Sequence, residues 1–243
     1  MSEGKGPEVE ANLSREQIHR LKGHLGAGNP AGRFWFIGME EAGGSDHELR
    51  VRADHFDPII DHANGRKLIN PEVDLRALTT QVWPAMCRIV ARVGGDPRWR
   101  DRGRVKDYLE HHLGRLDGDT FLTEVLPLPK RSVSDWPYKQ LWNTQADYIS
   151  DVIEGRIELL RNLYQESAPT YTFCYGNKFW DYHKKVFSDL KFETLIDGYA
   201  EIGVRGHSVV VLTRFFNTRN GRFTIPFIDA LISAIEQRVG VLP

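Results

Sequence analysis

The sequence has very little cysteine: Cys87 and Cys174 are the only two in 243 residues. Two cysteines far apart in the chain cannot build a disulfide scaffold, a four-thiolate zinc site or an iron–sulfur cluster. We therefore expect a reduced protein of the cytoplasm that carries no metal and no other cofactor.

Long hydrophobic runs and an excess of one charge are also missing. No apolar stretch approaches the roughly 18 residues that a membrane helix needs, and the N-terminal segment "MSEGKGPEVEAN" lacks the apolar region of a signal peptide. The formal net charge is only -1, although 41% of the residues are hydrophobic. We expect a globular monomer without membrane contact, in which any nucleic-acid binding depends on local basic patches.

Several common catalytic motifs are absent as well. The chain contains neither HExxH nor GxxxxGK[ST], and "GAGNPAG" precedes a strand instead of following one, which argues against a dinucleotide-binding turn. Ser45 lies near a predicted strand end but lacks the motif of a nucleophile elbow. These absences disfavour a zinc peptidase, a P-loop enzyme, a Rossmann dehydrogenase and a serine hydrolase.

The hydrophobic pattern predicts one α/β domain over residues 13–243, preceded by a flexible tail over residues 1–12. Ser14 and Gln17 form a capping-box pattern at the start of the first helix, and residues 45–75 read as a long polar loop. Strands are predicted at 34–37, 120–129, 170–176, 192–196 and 207–217. Helices are predicted at 14–25, 75–93 (with a kink at Pro84), 105–113, 148–164 and 225–239.

Strands that alternate with helices and are apolar on both faces are typical of a parallel sheet between two helix layers. We therefore predict a three-layer α/β/α sandwich with a short central parallel sheet of about four strands. Ligands of such sheets bind beyond the carboxyl ends of the strands. The segments to consider are "GMEEAGG", "TEVLPLPKRS", "GNKFW" and "TRFFNTRNGR".

Three of these segments carry candidate chemistry. Glu40 and Glu41 follow the first strand, where a carboxylate can orient water or stabilise a developing cation, although glutamates in loops are often only solvated. Glu124 follows the second strand between apolar residues and either faces a ligand or pairs with an arginine such as Arg131. The last segment combines basic side chains with phenylalanines, which suits phosphates and unstacked bases, although a solvated turn over core phenylalanines has the same pattern.

Together these segments resemble the uracil-DNA glycosylase superfamily. In that family a water-activating motif such as GQDPYH follows the first strand, where this chain has "FIGMEEAGG". The second strand of the family ends in an asparagine that reads uracil, where this chain has "LTEV". The final strand leads to a DNA-gripping loop, often HPS, and "VVVLTRFFNTRNGRFT" occupies that place. The resemblance covers roughly residues 30–240 and implies the fold predicted above.

The resemblance implies roles for individual residues. Glu40 matches the water-activating aspartate, Glu41 is its neighbour, and Arg214 is the nearest polar residue to the HPS histidine. A flipped base would lie against Gly38, Met39, Ala42 and Glu124, with Phe56 as an aromatic platform. DNA would be contacted by five polar or basic residues, which are Lys130, Arg131, Asn217, Arg219 and Arg222.

The same comparison suggests the substrate. Ala42 replaces a tyrosine that blocks the C5 side of the base in the uracil enzymes, and Gly43 and Gly44 follow it. Glu124, in place of asparagine, suits the amino group of cytosine better than the O4 atom of uracil. We expect a monofunctional DNA glycosylase that removes a C5-substituted cytosine, bulky or glycosylated, from single- or double-stranded DNA in repair or phage defence.

Three alternatives remain open at this stage. The enzyme could remove uracil or a damaged base in repair. The same fold could serve as a non-catalytic reader of modified DNA, which the missing HPS histidine favours and the two glutamates disfavour. A hydrolase of free nucleosides would leave the basic loops without a purpose.

Overall fold

The computed structural model of the protein describes residues 13–77, 80–131, 135–216, 223–240 and 242. The tail predicted over residues 1–12 lies outside this set. Over the described residues the chain is a mixed α/β protein with one open sheet of eight strands. No helix in these ranges is long and apolar enough to cross a membrane.

The elements follow one another along the chain in a mixed order. The strands are β1 (Gly26–Gly28), β2 (Phe34–Ala42), β3 (Ile59–Ile60), β4 (Thr120–Lys130), β5 (Tyr171–Tyr175), β6 (Glu193–Ile196), β7 (Ala200–Arg205) and β8 (Ser208–Thr213). The helices are α1 (Arg15–Lys22), α2 (Asp46–His55), α3 (His62–Ile69), α4 (Val82–Val93), α5 (Arg102–His111), α6 (Gln145–Ser167), α7 (Trp180–Val186) and α8 (Ile225–Val239).

The sheet is larger than the four strands predicted from the sequence. Its order is β3-β1-β4-β2-β5-β8-β7-β6. The four central strands β4, β2, β5 and β8 run parallel to one another, as expected. The extra strands are short or partly exposed, and β1 and β7 join the two sides of the parallel group in antiparallel pairings.

Two hydrophobic cores cover the two faces of the sheet. One core packs Phe34 and Phe36 of β2 against helices α4, α5 and α8. The other core packs Trp35 and Ile37 of the same strand against helices α1, α2, α6 and α7. The central strands are apolar on both faces because each face is buried under helices.

Strand β2 extends further than the sequence pattern indicated. We predicted that it would end at Ile37, but it continues to Ala42 because the long strand β4 pairs with it as far as Lys130. The register shifts between Glu40 and Ala42. The paired glutamates therefore belong to the last residues of a strand instead of a loop.

Two other expectations about the middle of the chain were wrong. Residues 45–75 contain α2, β3 and α3 instead of one long loop, and side chains of Ser45 and Asp61 cap the two helices. The helix predicted from residue 75 begins at Val82, so that Pro84 lies in its first turn. Proline is tolerated there because the first backbone N–H groups of a helix have no partner within the helix.

Candidate functional site

A cavity of about 400 Å³ opens at the carboxyl ends of the central parallel strands. Its walls come from β1, β2 and β4, from the first turn of α4, and from residues that follow β8. Side chains from three of the four segments named above meet there, together with Tyr175 from the end of β5. The lining residues used below are His24, Glu40, Glu41, His62, Trp83, Glu124, Arg156, Tyr175 and Phe215.

The half-buried Glu124 lines this cavity directly beside Gly38 of the neighbouring strand. Gly38 and Glu124 are paired in register, and a Cβ atom on Gly38 would lie only 2.0 Å from Oε2 of Glu124 and 2.5 Å from the hydroxyl of Tyr175. The glycine that ends the apolar run is therefore needed to make room for a carboxyl group. Gly38, which we predicted to lie against a base, contacts the carboxyl group of Glu124 in the structure.

The environment of Glu124 favours its protonated form. Burial, together with the charges of Glu41 and Glu40, raises the pKa of Glu124 to about 8, and the hydrogen bond from Tyr175 only partly offsets the rise. The Tyr175 hydroxyl donates to Oε1 at 2.8 Å. Oε2 has no hydrogen-bond partner among the residues that the structure describes. At neutral pH this environment favours the neutral carboxylic acid, and Oε2 is buried against Gly38.

Glu41 has the opposite character. Burial alone would raise its pKa, but the positive charge of Arg52, the nearby His24 and a hydrogen bond from Arg52 together lower it. Nη1 of Arg52 lies 2.6 Å from Oε1 of Glu41, and the same guanidinium bonds Glu48 at 2.8 Å. Glu41 is therefore held as an ionised carboxylate within the cavity wall.

Glu40 is engaged at both carboxylate oxygens. Oε2 pairs with Nζ of Lys130 at 3.2 Å, and Oε1 accepts a hydrogen bond from the amide of Gln145. Lys130 is only 4% exposed. We had predicted that Lys130 contacts DNA; the structure instead buries it as the partner of Glu40, because the extended β4 strand carries it into the interior.

Two residues predicted for the site do not line the large cavity: Phe56, the expected aromatic platform, and Arg214, the expected substitute for the HPS histidine. Phe56 packs against the guanidinium of Arg52 and the ring of His24 and lines a separate, smaller cavity. Nε of Arg214 donates to the carbonyl of Gly198 at 2.8 Å, and its guanidinium stacks on Tyr199. Met39 is buried in the core beside α1 and α2. None of these three residues lines the large cavity, although Phe56 shares the smaller one with Glu41.

The glycines that we expected to leave space for a base are occupied by the chain itself. A Cβ on Gly43 would lie 2.4 Å from the carboxylate of Glu48, and Gly44 approaches the backbone of Lys130. The backbone N–H of Gly44 also donates to Glu48 at 3.1 Å. Gly43 and Gly44 are therefore packed against Glu48 and Lys130, where the sequence had predicted open space beside a base.

Aromatic and imidazole side chains that sequence reasoning missed complete the cavity. His62 packs edge-on against Trp83, with ring centroids 4.7 Å apart. Burial and the charges of Arg66 and Arg115 lower the pKa of His62 to about 3, so this ring is neutral. Phe215 is 50% exposed and its ring lies 5.9 Å from that of Tyr175. His24 and His62 flank strands β1 and β3, which left no clear signal in the sequence.

Arg156 of α6 lies behind Glu124. Its guanidinium donates to the backbone carbonyls of His24, Leu25 and Glu124 at distances of 3.0 to 3.2 Å. Arg156 is 6% exposed, and burial lowers its pKa to about 10, which leaves it charged at neutral pH. It fixes the backbone on both sides of the cavity and provides a positive charge near Glu124.

The basic residues predicted to bind DNA are only partly described. Arg131 is exposed and pairs with Asp135 at 3.0 Å, so it does not form the ion pair with Glu124 that we had considered. Asn217, Arg219 and Arg222 lie outside the described residues. The basic stretch at residues 98–106 is partly neutralised, since Arg100 pairs with Asp229 and Arg104 pairs with Asp96.

The described ranges contain no group of three or more histidine, cysteine, aspartate or glutamate side chains that could hold a metal ion. No protein-family model matches the chain, and a search of curated proteins finds no match either. The function must therefore be argued from the chemistry of the cavity.

Proposed function

We propose that the protein is a glycosylase that hydrolyses the N-glycosidic bond of a modified base flipped out of DNA. One observation carries this proposal: Glu41 and Glu124 line the same cavity, and their pKa values are shifted in opposite directions. Two carboxyl groups held in opposite protonation states are the usual equipment of enzymes that cleave glycosidic bonds.

Each group suits one side of the reaction. Breaking the bond between the sugar and the base leaves positive charge on the sugar, which the Glu41 carboxylate stabilises. The base departs with an extra electron pair, and the neutral Glu124 carboxyl can donate a proton or a hydrogen bond to it. The positive charge of Arg156 then stabilises Glu124 once it has given up that proton.

The preferred substrate in this proposal is a C5-substituted cytosine. Tyr175 donates to Oε1 of Glu124, which places the proton on Oε2. Because Oε2 is packed against Gly38, the neutral carboxyl must turn toward the cavity to donate to the acceptor N3 of cytosine. The amino group of cytosine can in turn donate to Oε1. A neutral carboxyl can also pair with uracil, but the cavity of about 400 Å³ leaves space for more than a bare pyrimidine ring.

A second candidate is a hydrolase of free nucleosides. It is favoured by the pairing of Lys130 with Glu40 and of Arg131 with Asp135, which leaves fewer positive charges for a phosphate backbone. The chemistry of the cavity would be the same. Only the size of the substrate would differ.

The test is a panel of duplexes and single strands that carry uracil, thymine, cytosine, 5-hydroxymethylcytosine and glucosylated 5-hydroxymethylcytosine. Abasic sites are revealed by alkaline cleavage, and the released base is identified by mass spectrometry. The corresponding free nucleosides form a parallel set. Release of a modified cytosine from DNA supports the proposal, and release from nucleosides alone supports the second candidate. Tight DNA binding without release of any base would show a reader instead of an enzyme.

A further inference from the structure

His24 and Glu41 lie between two adjoining cavities. Both residues line the large cavity described above, and both also line a small cavity of about 10 Å³ beside it. A volume of roughly this size holds one water molecule when two or more polar groups surround it. The polar side chains around the small cavity are Arg20, His24, Glu41 and Arg52.

The ring of His24 is fixed in one tautomer. Nδ1 lies 3.2 Å from the carbonyl oxygen of Asp57, and a carbonyl oxygen can only accept, so Nδ1 must carry the hydrogen. In the neutral ring Nε2 is therefore a lone-pair acceptor, and it has no hydrogen bond to any of the described residues. Contact with Phe56 and the bond from Arg156 to the His24 carbonyl hold the residue in place.

The charges around His24 come from three elements. Glu41 of β2 favours the protonated ring, whereas Arg52 of α2 and Arg156 of α6 disfavour it. Burial is the largest influence and lowers the pKa of His24 below its ordinary value of 6.5. The ring is therefore neutral at pH 7 and able to accept a proton.

Glu41 is less suited to that task. Its Oε1 atom is bonded to Arg52 and its pKa is lowered, so it holds a negative charge but accepts a proton poorly. Its second oxygen makes no hydrogen bond within the described part of the chain. A carboxylate of this kind can orient a water molecule through that oxygen while a neighbouring base removes the proton.

We propose that His24 and Glu41 together hold the hydrolytic water, and that Nε2 of His24 takes its proton. This inference rests on the proposed function. The water oxygen forms the new bond to C1′ of the sugar, and the C1′–N bond breaks with its electron pair going to the base. One proton of the water passes to His24, and the base receives the proton of Glu124. The products are a neutral base, a sugar with a hydroxyl group at C1′, a protonated His24 and an ionised Glu124, so that the charges balance.

The first test needs no substrate. Nitrogen-detected NMR of the full chain labelled at histidine should show His24 as the Nδ1–H tautomer, with a pKa below 6.5. A His24 ring in the Nε2–H form, or one still protonated well above neutral pH, would overturn the inference. His19 of α1 is exposed and provides an internal reference on the same segment.

The second test uses base release from whichever duplex of the panel the wild type cleaves. We expect His24→Ala to lower the rate constant for base release about a hundredfold. The variant should also lose the decrease in rate that the wild type shows at acid pH, and added imidazole should restore part of its activity. His19→Ala should behave like the wild type. If His24→Ala keeps the acid fall in rate and does not respond to imidazole, His24 is not the base, even though the enzyme is a glycosylase. If the wild type releases no base from any substrate, the proposed function fails, and the catalytic role of His24 fails with it.

Discussion

At the scale of single residues, the close approach of Gly38 and Glu124 has a direct test. In Gly38→Ala the new methyl group would meet the Glu124 carboxyl at 2.0 Å, so we expect a loss of about 1–3 kcal/mol in the free energy of unfolding. A methyl group added at Gly155 of α6 would meet no other atom within 4 Å. Gly155→Ala should therefore stabilise the helix by roughly 0.5–1 kcal/mol. Chemical denaturation of both variants measures the contrast, and equal effects would contradict the packing described for Gly38.

The protonation of Glu124 makes stability depend on pH. Its pKa is 4.5 in an ordinary environment and about 8 in the folded protein. Above pH 4.5 the unfolded chain therefore releases a proton that the folded chain retains, and this destabilises the folded state increasingly until about pH 8. Glu124→Gln removes that effect and keeps an acceptor for Tyr175.

We expect Glu124→Gln to match the wild type near pH 4 and to exceed it by about 3 kcal/mol near pH 7, given about 1.36 kcal/mol for each pH unit. Urea unfolding at the two pH values measures the difference. A constant difference between variant and wild type at both pH values would show that Glu124 is ionised in the folded protein.

The two adjacent glutamates should differ in their effect on base release. The sequence comparison pointed to Glu40, but both oxygens of Glu40 are bonded to Lys130 and Gln145. We therefore expect Glu41→Gln to reduce the rate constant by roughly two or more orders of magnitude, and Glu40→Gln to reduce it less.

Glu48→Gln serves as the matched control for Glu41, because Glu48 pairs with the same Arg52. Single-turnover release of the base compares the three variants. If Glu40→Gln lowers the rate constant more than Glu41→Gln does, Glu40 is the counterpart of the water-activating aspartate, as the sequence comparison predicted.

At the scale of elements, Arg156 joins α6 to β1 and β4. Its bonds to three backbone carbonyls hold the segment at His24 and Leu25 against the end of β4. In Arg156→Met the carbonyls of His24 and Glu124 lose the guanidinium donor, whereas that of Leu25 keeps the hydroxyl of Thr123. A buried group left unsatisfied costs about 1–3 kcal/mol. Relative to the wild type, we expect Arg156→Met to accelerate hydrogen exchange more at the amides of β1 than at those of β5.

The control for this variant is Arg161→Met on the same helix, which removes bonds to the carbonyls of Lys185 and Val186 instead. Arg161→Met should have little effect on hydrogen exchange at the amides of β1. Uniform acceleration over the whole sheet in Arg156→Met would indicate global destabilisation and no specific link between α6 and β1.

Elements with strong periodicity could be predicted from the sequence. Helix α8 spans the predicted residues 225–239, and the capping box of Ser14 and Gln17 begins α1 as expected. Strands β1 and β3 were missed because they are three and two residues long. Strands this short form because they pair with neighbouring strands of the sheet, and the local sequence does not predict that pairing.

The end of β2 shows the same limit at the site itself. Gly38 and the two glutamates have low strand propensity, so the sequence indicated a loop. The structure keeps them in the strand because β4 continues beside them and supplies Lys130 as a partner for Glu40. Glu41 and Glu124 could be found from their position at strand ends, but His24 and Arg156 could not, because their role depends on contacts far apart in the sequence.

At the scale of the whole molecule, the net charge of -1 implies that the DNA binding proposed above would depend on local positive charge. If the segment at residues 217–222 contacts phosphates, Arg219→Gln or Arg222→Gln should weaken binding to all duplex sequences equally. Each lost contact should lower the salt slope by about 0.9. Fluorescence anisotropy from about 50 to 200 mM salt measures this. Arg98→Gln serves as the control, because Arg98 is exposed and belongs to the separate basic stretch at residues 98–106. An unchanged salt slope for both Arg219→Gln and Arg222→Gln would mean that residues 217–222 do not contact DNA.

The walls of the large cavity have a consequence for synthesis of the chain. They include His24 near the beginning of the sequence and Phe215 near its end. A growing polypeptide cannot enclose the cavity until β8 has left the ribosome and added to the sheet beside β5. Contacts between such distant segments form late in folding, because a long loop must be closed first. We therefore expect translation products truncated before β8 to lack the closed cavity, so that the activity proposed above requires β8 to be in place.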